Sequence, residues 1–149
     1  MSKTEHPKAD NRRVLRPYSD SMKQLMQNGY KPKRRPSGWQ ISKKFGRDHG
    51  GSIPHNLLEF SNTDSNGTYL RACKEKGIKP HPARFPSGLP DFFIKFLTEP
   101  GDIVLDCFAG SNVVGRAAED FARRWIAVEL REDYLAASQF RFLGQFTLI

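Results

Sequence analysis

The sequence predicts an α/β chain whose second half carries a small, incomplete parallel sheet, preceded by an irregular, partly helical basic region. Three observations carry this. From residue 89 onward, short β-branched runs alternate with amphipathic runs of helical spacing. The residues before that point are broken up by proline and glycine. Charge divides the same way: residues 1–80 hold 17 Lys and Arg against 7 Asp and Glu, and residues 81–149 hold 7 against 9. A basic half suited to a polyanion precedes a near-neutral half with another task.

Residues 1–12 read as a disordered polar lead. Residues 18–28 predict a short helix, capped by Ser19 or Ser21 and stopped by Gly29. Tyr30–Trp39 is a loop. Ile53–Phe60 is a short apolar stretch read as a strand, and residues 62–66 form a polar turn. Thr68–Lys76 predicts a helix ended by Gly77. Leu89–Leu97 spaces Phe92, Phe93, Phe96 and Leu97 as a helix does, with Pro90 near its start where proline is tolerated. Ile103–Leu105 is a buried strand between two aspartates. Val113–Phe121 repeats apolar residues as an amphipathic helix, and Trp125–Val128 is a second strand. Arg131–Phe142 is a helix with Glu132 and Asp133 in its first turn, as the helix dipole favours. Strand–helix–strand–helix with short loops gives parallel strands and a right-handed crossover.

Bulk properties narrow the class. A chain of 149 residues suits one domain of ordinary size, but 38% hydrophobic residues is low for a self-contained globule. No apolar run is long enough to span a membrane, and the first ten residues are polar, so no secretory signal is visible. Two cysteines, Cys73 and Cys107, make no disulfide framework and fit a cytoplasmic protein. His6, His49, His55 and His81 lie too far apart for a zinc-ligand pattern, so no metal is expected.

The sharpest local signal is Asp106-Cys107-Phe108-Ala109-Gly110-Ser111-Asn112, between a strand and a helix. Glycine there permits a tight turn and close approach of a ligand, at the strand end where doubly wound sheets bind nucleotides. A dinucleotide fingerprint needs a second glycine that this turn lacks. Gly110 and Gly115 have P-loop spacing, but Arg116-Ala117 follow in place of the phosphate lysine and the magnesium hydroxyl. An adenosyl cofactor without a polyphosphate is the third reading. Glu129, 23 residues after Asp106 and at the end of the second strand, suits ribose hydroxyls. A plain strand–turn–helix with two acidic strand ends stays open beside it.

His81-Pro82-Ala83-Arg84-Phe85-Pro86, then a helix, then Asp106–Asn112, then Trp125-Ile126-Ala127-Val128-Glu129, resembles the amino-methyltransferases of DNA. Within them the likeness is to the cytosine-N4 enzymes of restriction–modification systems, in the group whose cofactor motifs follow the catalytic one. The likeness spans residues 14–142. It implies an incomplete Rossmann-like fold that binds S-adenosyl-L-methionine, with residues 13–80 part of a target-recognition region and 81–149 the cofactor-binding half of a methyltransferase domain. It places His81, Pro82, Ala83, Arg84 and Phe85 against the cofactor's methionine part. Asp106, Phe108, Ala109, Gly110, Ser111 and Asn112 form the loop around that part, and Glu129 holds the ribose. Two departures are expected to weaken binding without abolishing it: Cys107 stands where the family often has proline, and Val113 where it often has threonine. Amino-methylation needs no covalent base adduct, so Cys107 is not expected to be a nucleophile.

The family's catalytic Pro-Pro motif, with its polar opening residue and stacking aromatic, is absent. The ten prolines include no adjacent pair. In this group's order the motif would lie upstream of Met1, so no catalytic residue is assigned. The expected partners are double-stranded DNA and, if the chain is the second half of a split enzyme and not a truncated product, a separate N-terminal methyltransferase half; without the missing half the fragment is expected to be inactive. A non-enzymatic DNA-binding remnant and an adenine-N6 fragment are the alternatives. For DNA, Lys31, Lys33, Arg34 and Arg35 suit phosphates or guanine edges, and Ser37 belongs to the same stretch. Trp39 either stacks on the duplex or packs into the core.

Overall fold

The computed structural model describes residues 7–30, 36–38, 42–61 and 67–142. The chain divides into two units, one of residues 11–56 and one of residues 1–10 with 57–149.

The smaller unit has little apolar burial; among its described residues only Gly51 is buried. It holds helix α1 (Asp20–Asn28), where the Ser19 hydroxyl accepts the Met22 N–H at 3.3 Å and Gly29, at φ 73°, ends the helix. Both caps match the expectation. Arg16 and Ser52 pair antiparallel through two main-chain bonds of 2.9 and 2.8 Å. A side chain at Gly51 would strike the Arg16 carbonyl at 2.6 Å, so glycine permits this pairing. The Tyr18 hydroxyl accepts the His49 N–H at 2.8 Å. The expected strand over Ile53–Phe60 is not formed: pairing stops at Ser52. Pro54 has no N–H to continue a ladder, and Ile53 stays exposed with no apolar layer to cover it.

The larger unit is an incomplete Rossmann-like α/β fold. Its helices are α2 (Thr68–Glu75), α3 (Gly88–Leu97), α4 (Val113–Asp120) and α5 (Glu132–Ser138). Strands β1 (Ile103–Asp106) and β2 (Arg124–Ala127) pair in parallel, with Ile103 opposite Arg124 and Asp106 opposite Ala127. The final helix is shorter than the sequence predicts, since a 3-10 turn takes over at Gln139–Phe142. Residues 7–10, which fall in the expected disordered lead, are tied into this unit. Lys8 Nζ meets Asp102 Oδ1 at 2.6 Å, and the Asp10 N–H donates to the Phe96 carbonyl at 2.9 Å.

Helix α4 lies on one face of the strand pair. Its buried residues are Val113, Gly115, Ala117 and Ala118, and the three small ones let it approach closely. Ile94 of α3 packs with Ala117 and Ala118, and Val104, Val114, Phe121 and Trp125 close around them. Burying a side chain such as Ile94 stabilises by about 1.5–3 kcal/mol. Arg123, between α4 and β2, is buried with its charge satisfied by Thr98 Oγ1, the Thr98 carbonyl and the Phe121 carbonyl at 2.6–2.9 Å. A second cluster joins α2 to α5 through Tyr69, Cys73 and Ala137. The sequence predicts a buried strand over Ile103–Leu105; Ile103 and Leu105 are instead exposed, as is Ile126. Alternation puts them on the face opposite α4, which no described residue covers.

Candidate functional site

The candidate site lies at the carboxyl ends of β1 and β2. Asp106 ends β1 and its side chain accepts the Phe108 N–H at 3.0 Å. The next residues are stitched to β2: the Val128 N–H donates to the Asp106 carbonyl at 2.8 Å and the Ala109 N–H to the Val128 carbonyl at 3.0 Å. The Gly110 N–H donates to Glu129 Oε2 at 2.8 Å, while Glu129 Oε1 accepts the Arg131 N–H at 3.0 Å. One carboxylate therefore fastens the glycine turn and the start of α5 together. The Arg131 N–H, and then that of Gly110, hold the Glu129 carboxyl below its usual range against the opposing effect of desolvation. A carboxylate offers about four acceptor sites, so Glu129 keeps acceptor capacity beyond these backbone bonds.

Gly110 sits at φ 51°, and a Cβ there would lie 3.1 Å from His81 Nε2. Left-handed backbone and the close ring both select glycine. His81 Nδ1 lies 2.6 Å from the Ala83 carbonyl. A carbonyl only accepts, so Nδ1 carries the proton and Nε2, facing the turn, is free to accept when the ring is neutral. The ring also meets Tyr134 edge-on, with centroids 4.4 Å apart.

Asn112 has a structural task. It takes the left-handed conformation at φ 58° and its side chain caps α4 by accepting the Gly115 N–H at 3.1 Å. A Cβ at Gly115 would sit 2.2 Å from that side-chain oxygen, so this glycine serves the cap and not a phosphate.

The structure brings His81, Asp106, Gly110 and Glu129 together. Ala109, Ser111 and Asn112 are buried, whereas Phe108 is 92% exposed. Pro82 and Ala83 are exposed, and Arg84 folds back onto the His81 carbonyl. Phe85 lines an apolar groove of about 360 Å³ with Leu89, Phe93, Ile94 and Val104, and no residue of the glycine turn borders it. Of the expected DNA-contacting residues, Ser37 is exposed, while Lys31, Lys33, Arg34, Arg35 and Trp39 lie outside the described residues.

Two residues unmarked in the sequence support the turn. The Tyr69 hydroxyl accepts the His81 N–H at 3.0 Å. Arg141 donates to the Ser111 carbonyl at 3.1 Å and to its hydroxyl at 3.0 Å. Arg116 in turn donates to the Arg141 carbonyl at 3.1 Å. Among the described residues no cluster of His, Cys, Asp or Glu could hold a metal ion, and no helix is long and apolar enough to cross a membrane.

The sequence profile of the DNA methylase family, covering the N6 and N4 amino-methyltransferases, matches residues 1–140. The chain belongs to this family. It is 58% identical over 146 residues to the Type II methyltransferase M.PvuII of Proteus hauseri, covering 96% of this chain and 44% of that protein. The Type II methyltransferase M.HpaI of Haemophilus parainfluenzae is 30% identical over 96 residues, covering 64% of this chain and 28% of the relative. Among solved structures, the cytosine-N4-specific PvuII DNA methyltransferase superposes with a TM-score of 0.67 at 44% identity, covering 99% of this chain and 40% of that one. The methylase chain thus spans less than half the length of these relatives.

Proposed function

We propose that this chain is the cofactor- and DNA-binding part of a site-specific, cytosine-N4-specific DNA methyltransferase, and that it binds S-adenosyl-L-methionine at the glycine turn. The observation that carries the reading is the 2.8 Å bond from the Gly110 N–H to Glu129 Oε2, which fixes the strand-end carboxylate beside the turn. The residues suit that cofactor. Gly110 keeps space open beside His81, Glu129 retains acceptor capacity for ribose hydroxyls, and Asp106 offers negative charge to a sulfonium. When bound, the cofactor supplies an electrophilic methyl group. This chain's part is to hold it, since the sequence contains no adjacent prolines and so no family catalytic motif. The segment 13–80 is assigned to target recognition because the positive charge gathers there, and Lys31, Lys33, Arg34, Arg35, Ser37 and Trp39 are its proposed DNA contacts.

Equilibrium dialysis with labelled S-adenosyl-L-methionine, with ATP as competitor, tests the cofactor assignment. Saturable binding that ATP fails to displace supports it; displacement by ATP at equal concentration sinks it. A non-enzymatic DNA-binding remnant that uses the basic residues 1–80 alone is the second reading, favoured by the positive charge gathered there. It predicts DNA binding with no methyl transfer even when a polypeptide bearing the Pro-Pro motif is added.

A further inference from the structure

Four contacts fix the place and the orientation of the half-buried His81. Its N–H donates to the Tyr69 hydroxyl at 3.0 Å, its Nδ1 faces the Ala83 carbonyl at 2.6 Å, and its ring meets the Tyr134 ring edge-on. On the remaining side the ring stands over Gly110, where a Cβ would lie 3.1, 3.2 and 3.3 Å from Nε2, Cε1 and Cδ2. The same glycine gives its N–H to Glu129. An imidazole and a carboxylate therefore share one glycine of the turn, and imidazole is the side chain whose charge changes between about pH 5 and pH 8.

The groups around His81 direct that change to one atom. The Nδ1 proton is held by Ala83, so a second proton enters at Nε2, beside Gly110. From α2 comes the Tyr69 hydroxyl, which burial keeps protonated, with Arg141 over the Tyr69 ring. From α5 comes Tyr134, and the Arg131 guanidinium carbon lies 4.7 Å from the centre of its ring while pairing with Asp133 at 2.7 Å. Arg84 donates to the His81 carbonyl. Glu129 is the near carboxylate: behind the N–H groups of Arg131 and Gly110, the charge of His81 helps to hold its carboxyl low.

We propose that His81 sets the pocket's choice between S-adenosyl-L-methionine and its demethylated product, S-adenosyl-L-homocysteine. The inference rests on the reading of the turn as an S-adenosyl-L-methionine pocket. The two ligands share their adenosine and amino-acid parts and differ in one charge, the sulfonium that becomes a neutral thioether. A neutral His81 presents the Nε2 lone pair and no charge, so it admits the cation. A protonated His81 sets a second cation in a partly desolvated site, where like charges repel more than in water. It also draws Glu129 away from ribose hydroxyls, but that penalty falls on both ligands and leaves their ratio unchanged. Carboxylates titrate about two pH units lower than imidazole, outside this range. Mild acid therefore turns the pocket from cofactor toward product, and the product competes better against fresh cofactor.

The test measures the dissociation constants of both ligands for the full chain by calorimetric titration, in the unaltered protein and in His81→Asn. Asparagine there keeps a donor for the Ala83 carbonyl and takes up no proton. The ratio of the S-adenosyl-L-methionine constant to the S-adenosyl-L-homocysteine constant is expected to rise about 3-fold or more from about pH 8 to about pH 6, beyond any rise in His81→Asn. The comparison with His81→Asn removes the titration of the ligands' own amino groups. A second readout needs no substitution. Ring-carbon NMR follows the protonation of His81 directly, and by linkage the ligand that rejects the charged ring makes the ring harder to protonate. Saturating S-adenosyl-L-methionine should do so more than saturating S-adenosyl-L-homocysteine.

A ratio that stays flat with pH, a rise that His81→Asn keeps in full, or equal effects of the two ligands on the His81 ring overturns the proposal and leaves the proposed function standing. Binding of neither ligand at either pH overturns both.

Discussion

The guanidinium carbon of Arg141 lies 4.3 Å from the centre of the Tyr69 ring, and through this pair both sides of the glycine turn are held from behind. Tyr69 fixes the His81 backbone, and Arg141 fixes Ser111. Burial pushes the Tyr69 hydroxyl up, so it stays protonated at neutral pH. Arg141→Ala removes two charge-assisted bonds, each of a kind worth about 1.5–3 kcal/mol, and is expected to lower unfolding free energy by about 2 kcal/mol in urea titrations. Arg141→Lys restores little of it, because one ammonium does not reproduce the fork on Ser111. Tyr69→Phe keeps the packing, loses one acceptor and costs about 1 kcal/mol.

Asn112 and Gly115 form a cap whose parts depend on each other. Asn112→Ala loses the cap and places alanine at positive φ, at a cost of about 1–2 kcal/mol, whereas Asn112→Gly tolerates the backbone and costs a few tenths. Gly115→Ala gains about 1 kcal/mol of helix propensity, yet its methyl would occupy the place of the Asn112 oxygen, so it is expected to destabilise. The double variant Asn112→Gly with Gly115→Ala should be more stable than the sum of the single effects. Strict additivity in a thermal-unfolding cycle would show that the two residues do not interact.

Acid sensitivity follows from carboxylates held below their ordinary range. Asp102 is lowered first by its bond to Lys8, Asp133 by Arg131, and Glu129 by the Arg131 N–H. A depressed folded-state value means stability that is present above the unfolded value, about 4, and lost as pH falls through the folded value. Asp91, raised by burial, acts with the opposite sign, and its protonation favours the fold. The urea midpoint should therefore fall between pH 6 and pH 3. In Lys8→Ala the drop should be smaller, since Asp102 loses its main cause of depression.

DNA binding is expected to weaken steeply with salt, with a logarithmic slope of about −0.9 for each phosphate neutralised on duplex DNA. Changing Lys33, Arg34 and Arg35 together to alanine should weaken binding and flatten the slope. A fluorescence-anisotropy series from low to moderate salt reads both, and an unchanged slope would remove these three residues from the interface.

Features set by neighbours in the chain are legible in the sequence. Ser19 and Gly29 bound α1 as cap chemistry requires, and Gly110 and Glu129 meet across the spacing that marks a nucleotide-type turn. Features set by distant contacts are not. Tyr69 and Arg141 reach the turn only after the chain has folded, and nothing local distinguishes them from other helix residues. Gly115 has the spacing of half a phosphate motif, while its reason is the Asn112 cap three residues before it. Ile53–Phe60 has strand composition but no main-chain partner beyond Ser52, and its Ile53 and Leu57 stay exposed. Ile103 and Leu105 read as buried because their composition suits burial, and the structure leaves them exposed.

Calorimetric titration of S-adenosyl-L-methionine into the full chain, with and without Glu129→Ala, tests the cofactor pocket most directly. Glu132→Ala, which removes a neighbouring exposed carboxylate, serves as the control. The expected outcome is binding by the unaltered chain, a loss of about 10-fold or more with Glu129→Ala, equal to about 1.4 kcal/mol, and no change with Glu132→Ala. Binding that Glu129→Ala leaves intact would contradict the assignment of the pocket.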